Sequence, residues 1–250
     1  TDLGGFAAAS FLRGIDFVHV PTTLLGMLDA AIGGKTGVDH PRGKNLIGAF
    51  AQPRAVIADP DVLASLPARE LTAGWAEMVK HALILDAPLA AELEAAAADP
   101  ATLTSPRLIA WSIAIKARVV SEDEREADLR MVLNYGHTIG HAIEAVSGYG
   151  PILHGEAVAV GMRAAGLIAV ELGLLSDAEF ARQQALVRAY NLPESAPGLD
   201  PDAIVQATML DKKVRAGAVN WVLLDSIGQA VIRSDVPAEV VRRAVETVVE

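Results

Sequence analysis

Three of the six histidines in this 250-residue chain fall within eighteen residues. They stand in Asn134-Tyr135-Gly136-His137-Thr138-Ile139-Gly140-His141 and in Leu153-His154-Gly155-Glu156. His137 and His141 are four apart, so a helix projects both imidazoles from one face. The chain has no cysteine, so a zinc-type site must be built from nitrogen and oxygen ligands. Each histidine taken singly reads as an ordinary core or surface residue. Together, beside Arg130, Asn134 and several glycines, they read as a metal or oxyanion site.

The spacing of His137 and His141 also occurs in metallopeptidases, but the catalytic Glu between the histidines is missing, because position 138 is Thr. Glu77 precedes Lys80 and His81 by three and four residues. The pattern fits an exposed helical ion pair, which contributes little. Trp75, Ala76, Met78 and Val79 surround Glu77, however, and a carboxylate in apolar company calls for a cation. Lys116 falls on a helical stripe with Ile109, Ile113 and Val120, where an apolar residue is due. It either snorkels to solvent or points into an anion site. Arg130 carries a planar fork suited to a carboxylate or phosphate. Asp211-Lys212-Lys213 ends a helix, where the lysines answer the macrodipole.

Gly33-Gly34-Lys35-Thr36-Gly37 lacks the first glycine of a Walker loop, since that position is Asp29. Gly43-Lys44-Asn45 repeats the Gly-Lys element in what reads as one short loop segment. Glycines let backbone N–H groups approach an anion, and each lysine adds a point charge, so the pair favours a phosphate or pyrophosphate.

The elements that must position these residues divide near residue 66. Residues 1–66 read as α/β, with a helix over 5–12, a buried strand over 16–21 and a second strand over 55–59. Thr22 and Thr23 follow the first strand, at the edge where α/β folds place ligands. Ser65 reads as the N-cap of the first long helix. Helices are then expected over 67–85, 88–98, 105–126, 136–147, 154–172, 176–190, 201–213 and 237–249. One hairpin pairs 219–224 with 229–232. Ser176 and Glu179 make a capping box.

A formal net charge of −10 argues against a nucleic-acid or anionic-membrane partner, which would need a basic face. No segment is long and apolar enough to read as a membrane span, and no basic leader opens the chain. The absence of thiols fits a reducing compartment, so a cytoplasmic location is expected.

On these segments the chain resembles the 3-dehydroquinate synthase family of the shikimate pathway. The similar stretches are Pro21–Leu25, Asp29–Val38, Gly43–Gly48, Leu66–Glu70, Glu77–Lys80, Arg130–Glu144, Leu153–Glu156 and Asp211–Lys213. The resemblance implies the C-terminal part of a Rossmann-like NAD-binding domain, over 1–66, followed by a helical metal-binding domain, over 67–250. It implies zinc, with cobalt as the alternative, on Glu77, His137 and His154. It places Asp2, Thr22, Thr23, Asp29, Lys35, Lys44 and Ser65 at NAD. It gives the substrate's phosphate and carboxylate to Lys35, Asn45, Lys80, Lys116, Arg130, Asn134, His141 and one of Lys212 or Lys213. Arg13 would reach a neighbouring subunit's site, which implies a homodimer. The implied reaction takes 3-deoxy-arabino-heptulosonate 7-phosphate to 3-dehydroquinate and phosphate, by oxidation with NAD⁺, β-elimination, reduction and aldol closure.

The similarity begins inside the family's pattern, so an N-terminal part carrying most of a glycine-rich turn is expected to be missing, and with it tight NAD binding. Rival readings are another sugar-phosphate cyclase, a metal-dependent alcohol or glycerol dehydrogenase, and a truncated homologue that binds without turnover. The two cations Lys116 and Arg130, beyond those a phosphate needs, favour an acid substrate.

Overall fold

The computed structural model describes residues 1–40, 43–97, 104–126, 129–214 and 219–250, with the side chains of 43–45 and 210–214 outside that description. The first part is α/β. Helix α1 (Asp2–Ser10) ends in a 3-10 turn, Phe11–Arg13, broken where Leu12 adopts φ 49°. Strand β1 (Val18–His19) pairs in parallel with β4 (Ala55–Val56). Between them lie a π-helical turn at Gly26–Ala30 and the antiparallel hairpin β2 (Lys35–His40) and β3 (Gly43–Phe50).

Four expectations need correction here. The strand over 16–21 shrinks to two residues and is only half-buried, with Val18 exposed and His19 buried, and the strand over 55–59 shrinks to Ala55–Val56. The two Gly-Lys elements do not share a loop. They begin the two strands of a hairpin, whose register sets Lys35 opposite Phe50. Ser65 is no N-cap either: it closes a 3-10 turn by donating to the Val62 carbonyl at 3.0 Å, and the helix starts after Pro67.

The second part is helical. It runs through α2 (Ala68–Leu85), α3 (Ala87–Ala96), α4 (Pro106–Glu122), α5 (His137–Val146), α6 (His154–Glu171), α7 (Asp177–Ala189) and α8 (Pro201–Val214). The antiparallel hairpin β5 (Trp221–Ser226) and β6 (Gln229–Arg233) precedes α9 (Ala238–Val249). These bounds follow the periodicity closely, and Ser176 caps α7 by accepting from the Glu179 N–H at 3.2 Å. The last residue of the helix expected over 88–98 lies outside the described residues. α4 stops at 122 and not 126, because Asp123 turns extended and its carboxylate takes the Arg130 N–H at 2.9 Å.

Helix α2 is the axis of this part. Every residue from Ala73 to Ile84 is buried, and α3, α4, α6, α7, β6 and the π-helical turn all pack on it. A helix enclosed on all sides carries apolar residues around its whole circumference, and any charge on it must find a partner inside. α6 reaches α2 through Gly155, where a Cβ would collide with the Ala73 carbonyl. Gly161 lets α6 meet the turn before α5 in the same way, against the Gly136 carbonyl.

A Gly155→Ala substitution must therefore push α6 off α2. It should lower the unfolding free energy by at least about 1 kcal/mol, the lower end for overpacking a core. Denaturant melts of the two proteins measure this, and equal midpoints would show slack between the helices.

Candidate metal and substrate site

The close approach of α6 to α2 brings three ligand-type side chains together. Glu77 projects from the middle of α2, His137 opens α5 and His154 opens α6. The Nε2 atoms of His137 and His154 each lie 3.7 Å from Glu77 Oε1, and the three ligand atoms are within 4.8 Å of one another. Glu77 is 0% exposed. Its Oε2 accepts from the Lys80 ammonium, while Oε1 has no hydrogen-bond partner among the described residues. The buried ion pair with Lys80 replaces the surface pair that the spacing also allowed.

The imidazoles are held from behind. His137 Nδ1 lies 3.1 Å from the Tyr135 carbonyl, which can only accept, so Nδ1 carries the proton and Nε2 offers its lone pair. His154 Nδ1 lies 3.2 Å from Glu144 Oε2, which accepts its proton. The start of α6 is fixed by Arg69, whose fork binds Glu156 at 2.6 and 2.7 Å while Glu156 accepts the Leu153 N–H at 2.8 Å. Two imidazole Nε2 atoms and a carboxylate oxygen thus face one point, the residue set that suits a divalent zinc-type ion.

The electrostatics agree. Burial pushes the Glu77 carboxyl up, but Lys80 and the two histidines together hold it well below the usual carboxylate range. Burial, then Lys80, keeps His137 neutral. Burial also opposes charge on His154, yet Glu144 and Glu77 outweigh it and raise this imidazole to about 9.

The site opens into a cleft of about 1140 Å³. Of the candidate residues, Asp2, Asp29, Lys35, Lys80, Lys116, Arg130, Asn134, His137, His141 and His154 line it. The cations are each held on an internal acceptor. Lys116, buried in its apolar stripe, pairs with the carboxylate of Asp29 and donates to its carbonyl at 2.7 Å. Arg130 donates to the carbonyls of Gly33 and Glu124 at 3.0 and 2.7 Å. Lys35 pairs with Glu126, which also accepts from Asn134 at 2.9 Å. The His141 ring lies 5.2 Å from that of His137 and 5.9 Å from that of His154.

Thr22, Thr23, Ser65 and Arg13 are not among the residues lining the cleft. Thr23 caps the π-helical turn by accepting the Gly26 N–H at 3.0 Å. Arg13 is exposed, with φ 66°. The side chains of Lys44, Asn45, Lys212 and Lys213 lie outside the described residues.

Two family models match the chain: 3-dehydroquinate synthase N-terminal over residues 1–73, and 3-dehydroquinate synthase C-terminal over residues 74–214. A 3-dehydroquinate synthase from Nostoc punctiforme is 53% identical over 98% of this chain, which spans 69% of that relative. The chain belongs to the 3-dehydroquinate synthase family. A solved 2-epi-5-epi-valiolone synthase from Streptomyces hygroscopicus subsp. jinggangensis, with NAD⁺ and Zn²⁺ bound, superposes with TM-score 0.91 at 32% identity, covering 99% of this chain and 70% of its own. A solved 2-deoxy-scyllo-inosose synthase, complexed with carbaglucose-6-phosphate, NAD⁺ and Co²⁺, matches with TM-score 0.86 at 32% identity, over 98% and 70% of the two chains.

In this member of the 3-dehydroquinate synthase family, sequence reasoning overlooked two acids. Glu126, which joins Lys35 to Asn134, sits in an irregular turn with no periodic signal. Glu144 was detectable: it follows His137 by seven residues and His141 by three, on the same face of α5. A third polar group, His81, is fully buried on α2, with Nδ1 at 2.8 Å from Ser112 Oγ. Asp29, Glu77 and His81 also come within 4.8 Å of one another, with Asp29 paired to Lys116.

His81 gives the fold a pH dependence. Burial first and Lys80 second push it down to about 3, so the folded chain keeps it neutral while the unfolded chain takes a proton near 6.5. The unfolded state then binds more protons, and stability present above 6.5 is lost as pH falls toward about 3. Over that interval the melting temperature of a His81→Gln variant should decline less steeply than that of the parent. Parallel declines would assign the acid sensitivity to other groups.

Proposed function

We propose that the chain converts 3-deoxy-arabino-heptulosonate 7-phosphate to 3-dehydroquinate and phosphate, with NAD and one divalent metal as cofactors. The observation that carries this reading is the convergence of Glu77, His137 and His154 at one end of a cleft lined by Lys35, Lys80, Lys116 and Arg130. Membership of the family supports the activity, and the cofactors of the solved relatives support NAD with zinc or cobalt.

Glu77, His137 and His154 would hold the metal, and the fit rests on the orphaned Glu77 oxygen facing two imidazole nitrogens. Bound there, a divalent ion supplies Lewis acidity toward substrate oxygens, and NAD⁺ supplies the hydride acceptor. The chain's own residues bind and orient. Lys116 and Arg130 take the substrate carboxylate, Arg130 through its bidentate fork. Lys35, Asn45, Lys80, Asn134, His141 and one of Lys212 or Lys213 serve the phosphate and hydroxyls. Lys80 also keeps Glu77 ionised, so the carboxylate is ready to ligate.

Residues 1–66 contribute to NAD through Asp2, Thr22, Thr23, Asp29, Lys35, Lys44 and Ser65, and residues 67–250 supply the metal and most of the substrate contacts. Zinc as the resident ion, a homodimer completed by Arg13 and a cytoplasmic location complete the proposal. The described residues contain no helix long and apolar enough to cross a membrane.

Offering the protein NAD⁺ in large excess, to meet the weak binding expected of this chain, with Zn²⁺ and the heptulosonate 7-phosphate should yield inorganic phosphate, and no release would overturn the reading. A second reading, another sugar-phosphate cyclase, is favoured by the close likeness to the valiolone synthase. The carboxylate separates the two. Arg130→Lys keeps the charge and loses the fork, so kcat/KM for the heptulosonate should fall at least about tenfold, or ~1.4 kcal/mol. The loss should be much smaller with a heptulose 7-phosphate lacking the carboxylate. An unchanged kcat/KM would remove the acid-substrate argument and leave the other cyclase.

A further inference from the structure

The metal-site reading leaves one acid in the same corner with no role. Glu144 is 3% exposed, on the face of α5 that also carries His137 and His141. Its Oε2 lies 3.2 Å from His154 Nδ1. We propose that Glu144 is a positioning residue that holds His154 in the Nδ1–H form, with Nε2 turned to Glu77 and ready to ligate. The inference rests on the reading of Glu77, His137 and His154 as the metal site.

An imidazole ligates through one nitrogen, and its orientation is set by what the other N–H donates to. His154 is strung between two carboxylates, with Nδ1 toward Glu144 and Nε2 at 3.7 Å from Glu77 Oε1. His137 needs no side chain for this purpose, because the Tyr135 carbonyl two residues upstream already holds its Nδ1 at 3.1 Å. His154 has no such internal brace. It is the first residue of α6 and follows the irregular stretch through Gly148 and Tyr149, both at positive φ. Its ring must be fixed from another helix, and the α5 residue in reach is Glu144. The arrangement also explains the acid's burial, since a carboxylate removed from water needs a strong donor.

One competing assignment uses the same atoms. His141, Glu144 and His154 come within 4.8 Å of one another, so Glu144 could itself ligate a second ion. That would require His154 to give up its Nδ1 proton and use both nitrogens for metal, whereas positioning leaves the proton on Nδ1.

Calorimetric titration of the chelator-stripped protein with Co²⁺, together with the visible Co²⁺ spectrum, tests the proposal. The parent and both variants, Glu144→Gln and Glu144→Ala, should bind one ion per chain. Glu144→Ala should bind about 10–100-fold more weakly, the usual cost of losing such a partner. Glu144→Gln keeps a carbonyl acceptor for Nδ1–H, so its affinity should recover part of the way while its Co²⁺ bands shift from those of the parent. Melting of the stripped proteins identifies any variant that is merely unfolded, and the near-isosteric Gln variant then decides. Parental affinity and parental bands in Glu144→Gln and Glu144→Ala alike would overturn the proposal. So would two ions on the parent and one on Glu144→Gln, which would make the acid a ligand. Failure of the parent to bind Co²⁺, or undiminished binding by Glu77→Ala, would instead overturn the metal-site reading beneath it.

Discussion

A carboxylate fully removed from water, on a helix enclosed on every side, is the constraint from which the rest of this structure follows. Stranding such a charge is costly unless it is paired and hydrogen-bonded. Lys80, one turn on, takes Oε2 of Glu77, and the second oxygen is left facing His137 and His154. For those imidazoles to arrive, α6 must closely approach α2 at Gly155 and the turn before α5 at Gly161. Their outer nitrogens are engaged by the Tyr135 carbonyl and Glu144. Charge, glycine placement and ring orientation are therefore one linked requirement.

The cleft beyond this centre reconciles an acidic protein with an anionic substrate. A net charge of −10 governs the distant field, but the local wall presents Lys35, Lys80, Lys116 and Arg130. Each is anchored to an internal acceptor, so little freedom remains to be lost when a ligand arrives. The anchors Asp29 and the Gly33 carbonyl belong to the α/β part, whereas Lys116 and Arg130 belong to the helical part. The same contacts that steady the cations thus join the two parts.

The helical part was legible in the sequence because its signals are local. Periodicity, the Ser176 cap and the Pro201 start place α2 through α9 to within a few residues, and the interrupted stripe around Lys116 marked a real buried cation. The α/β part was less legible. The Gly-Lys elements suggested a loop because glycine suits loops, yet cross-strand pairing of Lys35 with Phe50 and of Thr36 with Ala49 organises them as a hairpin. Val18 and Val20 have the composition of a buried strand, but burial depends on what covers them, and propensity carries no information about that. Within the site, residue types and spacing singled out His137, His141 and His154, which the fold brings together with Glu77. The acids Glu144, beside His154, and Glu126, beside Lys35 and Asn134, depend on how separate elements meet in space.

The enclosure of α2 also bears on how such an enzyme can diversify. Every residue from Ala73 to Ile84 is locked between neighbours, so mutational drift there disturbs several interfaces at once. The opposite wall is freer. The β2–β3 hairpin brings Asp39, Leu46 and Phe50 to the cleft on a surface that is largely open, and Tyr149 lies on a loop. A lineage built on this plan can keep the enclosed side constant while the open wall varies. The solved valiolone synthase shares this backbone to a TM-score of 0.91 while keeping 32% of its residues, so the plan tolerates wide change in sequence.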